Sequence, residues 1–241
     1  MYNIEFWVNK VKKYWTVNYK DKELEKISQE FRWLILLDNI KDIASKKNSI
    51  ILDFWCWDWY FTDKLFTELN IDKHRLYWFD IVNDNIIKIK NKWYKNFIKW
   101  DINDFISNIN NNIKFDCIYT ITVLQHILDD KLLIENLTKV YDILKKWWKL
   151  ILIEWFWNWY KNHFLIKRKI KDFIEICSNI WFKLKSAKEI KIWWLYLIKK
   201  IRIKFIRKLL LKFLFLLYKF NKFDIAKFNR KETTVCLVFT K

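Results

Sequence analysis

The sequence predicts an α/β fold, a mainly parallel sheet with helices on both faces. Three observations carry that reading. Short β-type runs alternate with segments of helical period along most of the chain. Runs such as Leu150–Ile153 are apolar throughout, as strands covered on both faces are. Hydrophobic residues make up 53% of the 241 residues, enough for a large core in one domain with an insertion.

The elements follow in order. Lys22 to Lys47 reads as a helix, because Leu24, Ile27, Phe31, Leu34, Ile35 and Ile40 recur at helical spacing. Ile50–Phe54 is an apolar β-type run. Tyr60–Leu69 is helical, "RLYWFD" a strand, Asn85–Lys92 helical and "NFIKW" a strand. "FDCIYT" is a strand, Asp130–Lys146 a helix and "KLILIE" a strand. His163–Ile180 reads as a helix, "WFKLKSAKEIKI" as a strand and "TTVCLVFT" as the last strand. Residues 194–230 interrupt the alternation with a segment both basic and apolar. The chain thus divides into an N-terminal helical cap over 1–48, a core over 49–192, a basic amphipathic helical insertion over 193–230 and the last core strand over 231–241.

The chain holds no Gly and no Pro but 17 Trp. A fold of this size needs residues that accept positive φ at tight turns and helix ends. Lys, Asn, Ile and Phe dominate and Ala is scarce, the mark of an AT-rich gene, yet that does not account for the Trp. The Trp fall where backbone logic wants Gly. Trp147 and Trp148 stand between a helical run and a strand, Trp181 at another helix-to-strand junction, and Trp155, Trp157 and Trp159 alternate after a strand. Trp33, inside a helical run, is the least Gly-like. The expectation is that these residues stand for glycines encoded by UGA, a codon some genetic codes read as Gly and others as Trp. Deliberate Gly-to-Trp substitution would leave the same pattern. Cys56, Cys117, Cys177 and Cys236 lack metal-type or CxxC spacing, so buried, reduced thiols of a cytoplasmic protein are expected, and no metal. The N-terminal "MYNIEFWVNKVKK" is charged and has no apolar h-region, so no secretory signal is expected.

The densest motif is "SIILDFWCWDWYFTDKLF", Ser49 to Phe66. With Gly at 55, 57 and 59 it becomes "SIILDFGCGDGYFTDKLF", a strand, a tight turn against which a ligand can lie, and a helix. Asp80 ends "LYWFD" at about the 20-residue spacing that a ribose-binding carboxylate takes. Asp101 ends the third strand, in "FIKWDIND". The plainer role of Asp80 and Asp101 is a helix N-cap. In this register the chain resembles the class I S-adenosylmethionine-dependent methyltransferases over roughly 45–192 and the last strand. Lys146 stands in place of the family's usual Pro before the fifth strand.

The resemblance implies a Rossmann-like, mainly parallel seven-stranded sheet with a helical insertion before the last strand, and S-adenosylmethionine as cofactor. It implies that Asp53, Phe54, Trp55, Cys56, Trp57, Trp59 and Tyr60 hold the cofactor's methionine end, Asp80 the ribose, and Asp101 and Ile102 the adenine, with Ile81 also among the cofactor-binding residues. Ile121 and Thr122 would line the reaction centre. True indoles at 55, 57 and 59 would fill the cofactor cleft. His126 stands where family members often carry His, either as a general base or as a packing residue at a helix start. The stretch "TITVLQH" lacks the Asn-Pro-Pro-Tyr element of amino-directed nucleic-acid enzymes, which favours a small-molecule, sugar or lipid acceptor. An RNA methyltransferase and a non-catalytic Rossmann-like module are the alternatives.

Net charge is +19, but AT-rich coding inflates Lys everywhere, so nucleic acid is the weaker reading. Lys200, Lys204, Lys208 and Lys212 repeat at i+4 among Ile201, Phe205, Leu209 and Phe213. This suits an amphipathic helix over 195–220 that lies with a basic face on the anionic inner surface of a membrane. It is too interrupted to span one. A lid over the substrate cleft is the other reading.

Overall fold

The computed structural model describes residues 22–54, 60–80, 97–99, 113–157, 160–161, 166–190, 193–201, 203–220 and 232–241. The expected helix at 85–92 lies outside them, as do Trp55, Cys56, Trp57, Trp59, Ile81, Asp101 and Ile102. The strands are β1 (Ile51–Phe54), β2 (Leu76–Asp80), β3 (Phe97–Lys99), β4 (Phe115–Ile121), β5 (Leu144–Trp157), β6 (Tyr160–Lys161), β7 (Ile166–Lys167), β8 (Lys183–Ile190) and β9 (Glu232–Thr240). The helices are α1 (Lys22–Ala44), α2 (Tyr60–Leu69), α3 (Asp130–Ile143), α4 (Ile170–Asn179), α5 (Trp193–Lys199) and α6 (Lys204–Phe220).

The main sheet runs β3-β2-β1-β4-β5-β9-β8. β3, β2, β1, β4 and β5 pair in parallel, and β9 is antiparallel to both β5 and β8. Every residue of β1 and β4 is buried, which is why their sequences do not alternate. One face packs Leu52, Phe54, Leu150 and Leu152 against Leu133, Leu137 and Val140 of α3 and Phe173 and Cys177 of α4. The other packs Ile51, Ile151 and Ile153 with Ile35, Leu36 and Ile40 of α1, Leu65 of α2, Leu195 of α5 and Leu211 and Leu214 of α6. The amino-terminal edge is fastened by charge. Asp116 accepts from the Ile50 amide at 2.7 Å and from Lys145 Nζ at 2.7 and 2.9 Å.

Three expectations need correction. The helix expected to reach Lys146 stops at Ile143, because Leu144 is more favourably buried as a strand residue opposite Phe115. The helix expected from His163 begins only at Ile170. Ile166 and Lys167 instead form half of a small hairpin with β6, and extended chain carries Arg168 inward. The insertion is not one helix over 195–220, since Lys200, Ile201 and Ile203 lie between α5 and α6 and are not helical.

The backbone sorts the Trp. Trp147 has φ 71° and Trp181 φ 75°, the left-handed region that favours Gly. At Trp181 the amide donates to Ser178 O at 2.9 Å and the next amide, of Phe182, to Cys177 O at 3.0 Å. That pair of bonds is the Schellman ending of a helix, and Trp181 occupies its Gly position. Trp147 sits where β5 carries extra residues against β4, between Leu144 opposite Phe115 and Lys149 opposite Cys117. Both indoles project into solvent. Trp155 and Trp157 differ from the expectation: they are ladder residues of β5, opposite Thr234 and Glu232, and need no special φ. Trp33 is buried in α1 and donates its indole N–H to Glu68 at 2.7 Å, a role Gly cannot fill.

Candidate cofactor and reaction site

The chain winds from β1 outward through β2 to β3, then returns to the other side of β1 for β4 and β5. Strand order reverses between β1 and β4, and in such sheets ligands bind beyond the carboxyl ends at that switch. Asp53 lies there, paired in register with Tyr119 of β4 and Trp78 of β2. It is buried, and its Oδ2 accepts from the Tyr119 hydroxyl at 2.7 Å and from the Thr62 hydroxyl of α2. These bonds tie β1 to α2 and to β4. Phe54 is buried and Tyr60 opens α2, packed edge-on against Phe61.

Asp80 is the last residue of β2, opposite Lys99 of β3. With Phe54 opposite Phe79, its backbone stands one residue past the end of β1. Asp53 and Asp80 therefore belong to neighbouring strands at one edge of the sheet. Asp101 follows β3 by two positions and lies outside the described residues.

The segment after β4 is held from two sides. Thr122 has φ 57°, and its amide donates to Ile153 O at 2.8 Å. A β-branched residue in the left-handed region is strained, and such strain persists only where the surroundings enforce it. Glu154, near the end of β5, supplies much of that enforcement. Its Oε1 accepts from Thr120 Oγ1 and the Val123 amide, each at 3.0 Å, and from the Leu124 amide at 3.3 Å. Its Oε2 has no hydrogen-bond partner among the described residues. Burial pushes the Glu154 carboxyl up to about 7, against the pull of those donors and of the Arg32 cation. From the other side, Arg168 donates to Ile127 O at 2.8 Å, to Leu124 O at 3.4 Å and to Asp130 Oδ1 at 2.7 Å.

His126 lies within this segment, buried in a short 3-10 turn over Leu124–His126, with its Nε2 3.2 Å from Gln125 Nε2. Ile121 is buried and Thr122 half-buried. Sequence reasoning missed Thr62, Tyr119, Glu154 and Arg168. Glu154 had a signal, an acid closing the apolar run "LILI". Tyr119 and Arg168 had none, since their partners lie far away in sequence, and nothing in the sequence marks Thr62 as the partner of Asp53. Cys117, Cys177 and Cys236 are free and buried, and burial pushes all three thiols up, Cys236 to about 12, so they stay protonated. Among the described residues, no group of His, Cys, Asp and Glu is arranged to hold a metal ion.

No family model and no curated protein sequence matches the chain. Solved structures do. An O-methyltransferase from a trans-AT polyketide synthase of Brevibacillus brevis, in complex with S-adenosylhomocysteine, superposes with TM-score 0.58 at 14% identity, over 88% of this chain and 71% of that one. A phosphoethanolamine N-methyltransferase of Haemonchus contortus, in complex with S-adenosylmethionine, gives 0.56 at 11% over 87% of this chain. The chain spans about half of that protein's length, 52%. A S-adenosylmethionine-dependent methyltransferase from Archaeoglobus fulgidus gives 0.56 at 15%, over 88% of this chain and 94% of that one. At these identities the likeness is one of fold: the chain has the Rossmann-like α/β architecture of S-adenosylmethionine-dependent methyltransferases.

Proposed function

We propose that the chain is a S-adenosylmethionine-dependent methyltransferase acting on a small-molecule, sugar or lipid acceptor. The observation that carries this reading is the placement of Asp53, beside the topological switch, and Asp80, on the adjacent strand, at the carboxyl ends of β1 and β2 in a fold whose solved neighbours hold this cofactor or its product. When bound, the cofactor supplies an electrophilic methyl on its sulfonium, and direct displacement needs chiefly an aligned nucleophile. Asp53, bonded by Thr62 and Tyr119, and residues 54–60 are proposed for the methionine end. The Asp80 carboxylate is proposed for the ribose hydroxyls and Asp101 with Ile102 for the adenine. Glu154 and Arg168 hold the 121–127 segment where the acceptor would meet the methyl group. The burial of His126 and its contact with Gln125 favour a positioning role over that of a general base.

The reading includes Gly function at 55, 57 and 59. Left-handed φ at Trp147 and Trp181, both picked out as Gly-like by their sequence setting, supports reading the turn residues the same way. The gene tests this part, since UGG codons at 55, 57 and 59 would remove it. Activity is tested with methyl-labelled cofactor and fractionated cell extract. The proposal expects label in the small-molecule or lipid fraction. Label in RNA alone would establish the alternative acceptor class, and a protein that binds cofactor but labels no fraction would be a non-catalytic module.

A further inference from the structure

The insertion presents an arrangement opposite to the one its sequence suggests. The narrow stripe of α6 that faces the core is Leu211, Leu214 and Tyr218. At 100° per residue, the side opposite that stripe carries Phe205, Ile206, Leu209, Phe213, Leu216 and Phe220. All six are exposed, Phe205 at 75% and Phe220 at 82%. The outward face of this helix is therefore apolar. The lysines form a row along its flank: Lys208 and Lys212 are exposed, and Lys219 pairs with Asp38 at 2.9 Å. Residues 193–220 hold eight Lys and Arg and no Asp or Glu.

An apolar stripe of this size facing water marks an interaction site. The flanking charge selects the occupant. A second copy of the chain would bring cations against cations. A helix of 17 residues with five cations does not cross a bilayer, and none of the described helices is long and apolar enough to do so. A bilayer leaflet with anionic headgroups meets both features, taking the apolar stripe among its acyl chains and the lysine row among its phosphates. Beside the stripe the apolar surface continues into a cavity of about 350 Å³, lined by Phe31, Trp194, Leu214, Leu217 and Tyr218 with Glu189.

We propose that α6 is a bilayer-docking element that lies flat on an anionic leaflet with Phe205, Leu209, Phe213, Leu216 and Phe220 inserted. This stands apart from the cofactor reading and would survive its failure. The test is co-sedimentation of the full chain with vesicles of phosphatidylcholine containing increasing phosphatidylglycerol, at low and high salt. Binding is expected to rise with the anionic fraction and fall with salt. Leu209→Ser with Phe213→Ser, and separately Lys208→Gln with Lys212→Gln, are each expected to weaken partitioning tenfold or more. These side chains lie outside the core, so thermal melting followed by circular dichroism is expected to change little. No binding to the most anionic vesicles at low salt would overturn the proposal, and that comparison needs no variant. So would a dimer in light scattering that Phe213→Ser splits, which would give the stripe to a second copy.

Discussion

Glu154 is a buried carboxyl near the candidate site whose chemistry departs from its ordinary value. Its carboxyl, normally near 4.5, is pushed up to about 7 by burial. Between those values the folded protein keeps the proton while the unfolded chain has lost it. Stability should therefore decline as pH rises through that window, by at most about 1.4 kcal/mol per unit. Urea midpoints measured across the range should show this slope, and Glu154→Gln should flatten it. Glu154→Ala should instead lower stability at every pH, by about 1–3 kcal/mol, because the Val123 and Leu124 amides and the Thr120 hydroxyl lose their acceptor. A flat profile in the parent protein would mean that the carboxyl is better solvated than its burial implies. None of this is legible in sequence beyond an acid at the end of an apolar strand, since the groups that surround it come from β4 and its loop.

The elements themselves were largely legible, and the exceptions have identifiable causes. Periodicity located α1, α2 and the strands β1, β2, β4 and β9 within a few residues. It overran α3 and α4, where "DILKK" and "HFLIKRK" keep a helical pattern but long-range partners take the residues away. Leu144 is drawn to Phe115, and Arg168 to the carbonyls of Leu124 and Ile127. Helical period also could not tell which face of α6 is inward, because apolar residues cover most of its circumference. The end of α4 makes a sharper test. A non-Gly residue in the left-handed region costs about 1–2 kcal/mol. The indole of Trp181 is 76% exposed and packs little. Trp181→Gly should thus raise the unfolding free energy by about 1 kcal/mol, read as a higher denaturant midpoint at unchanged slope. A loss of stability would mean that the indole makes a contribution its exposure does not suggest. Trp33→Gly is the contrasting case and should be strongly destabilising, because that residue is buried and bonded to Glu68.

For the whole molecule, the sheet order brings together what the sequence holds apart. Asp53 and Asp80 are 27 positions apart in sequence yet end neighbouring strands. The alternation of strands and helices made that topology legible. The chain's charge was less informative than its placement: a total of +19 says little, whereas lysines beside an outward apolar stripe suggest a surface. The central claim is that this edge binds S-adenosylmethionine once positions 55, 57 and 59 carry residues without bulk. Calorimetric titration with S-adenosylhomocysteine tests it most directly, using protein with Trp55→Gly, Trp57→Gly and Trp59→Gly. The account predicts saturable binding to that protein, weakened by Asp80→Ala roughly ten- to a hundredfold, and little binding when the three Trp are present. A folded protein with Gly at all three positions that gives no binding heat and no thermal shift with the ligand would contradict it.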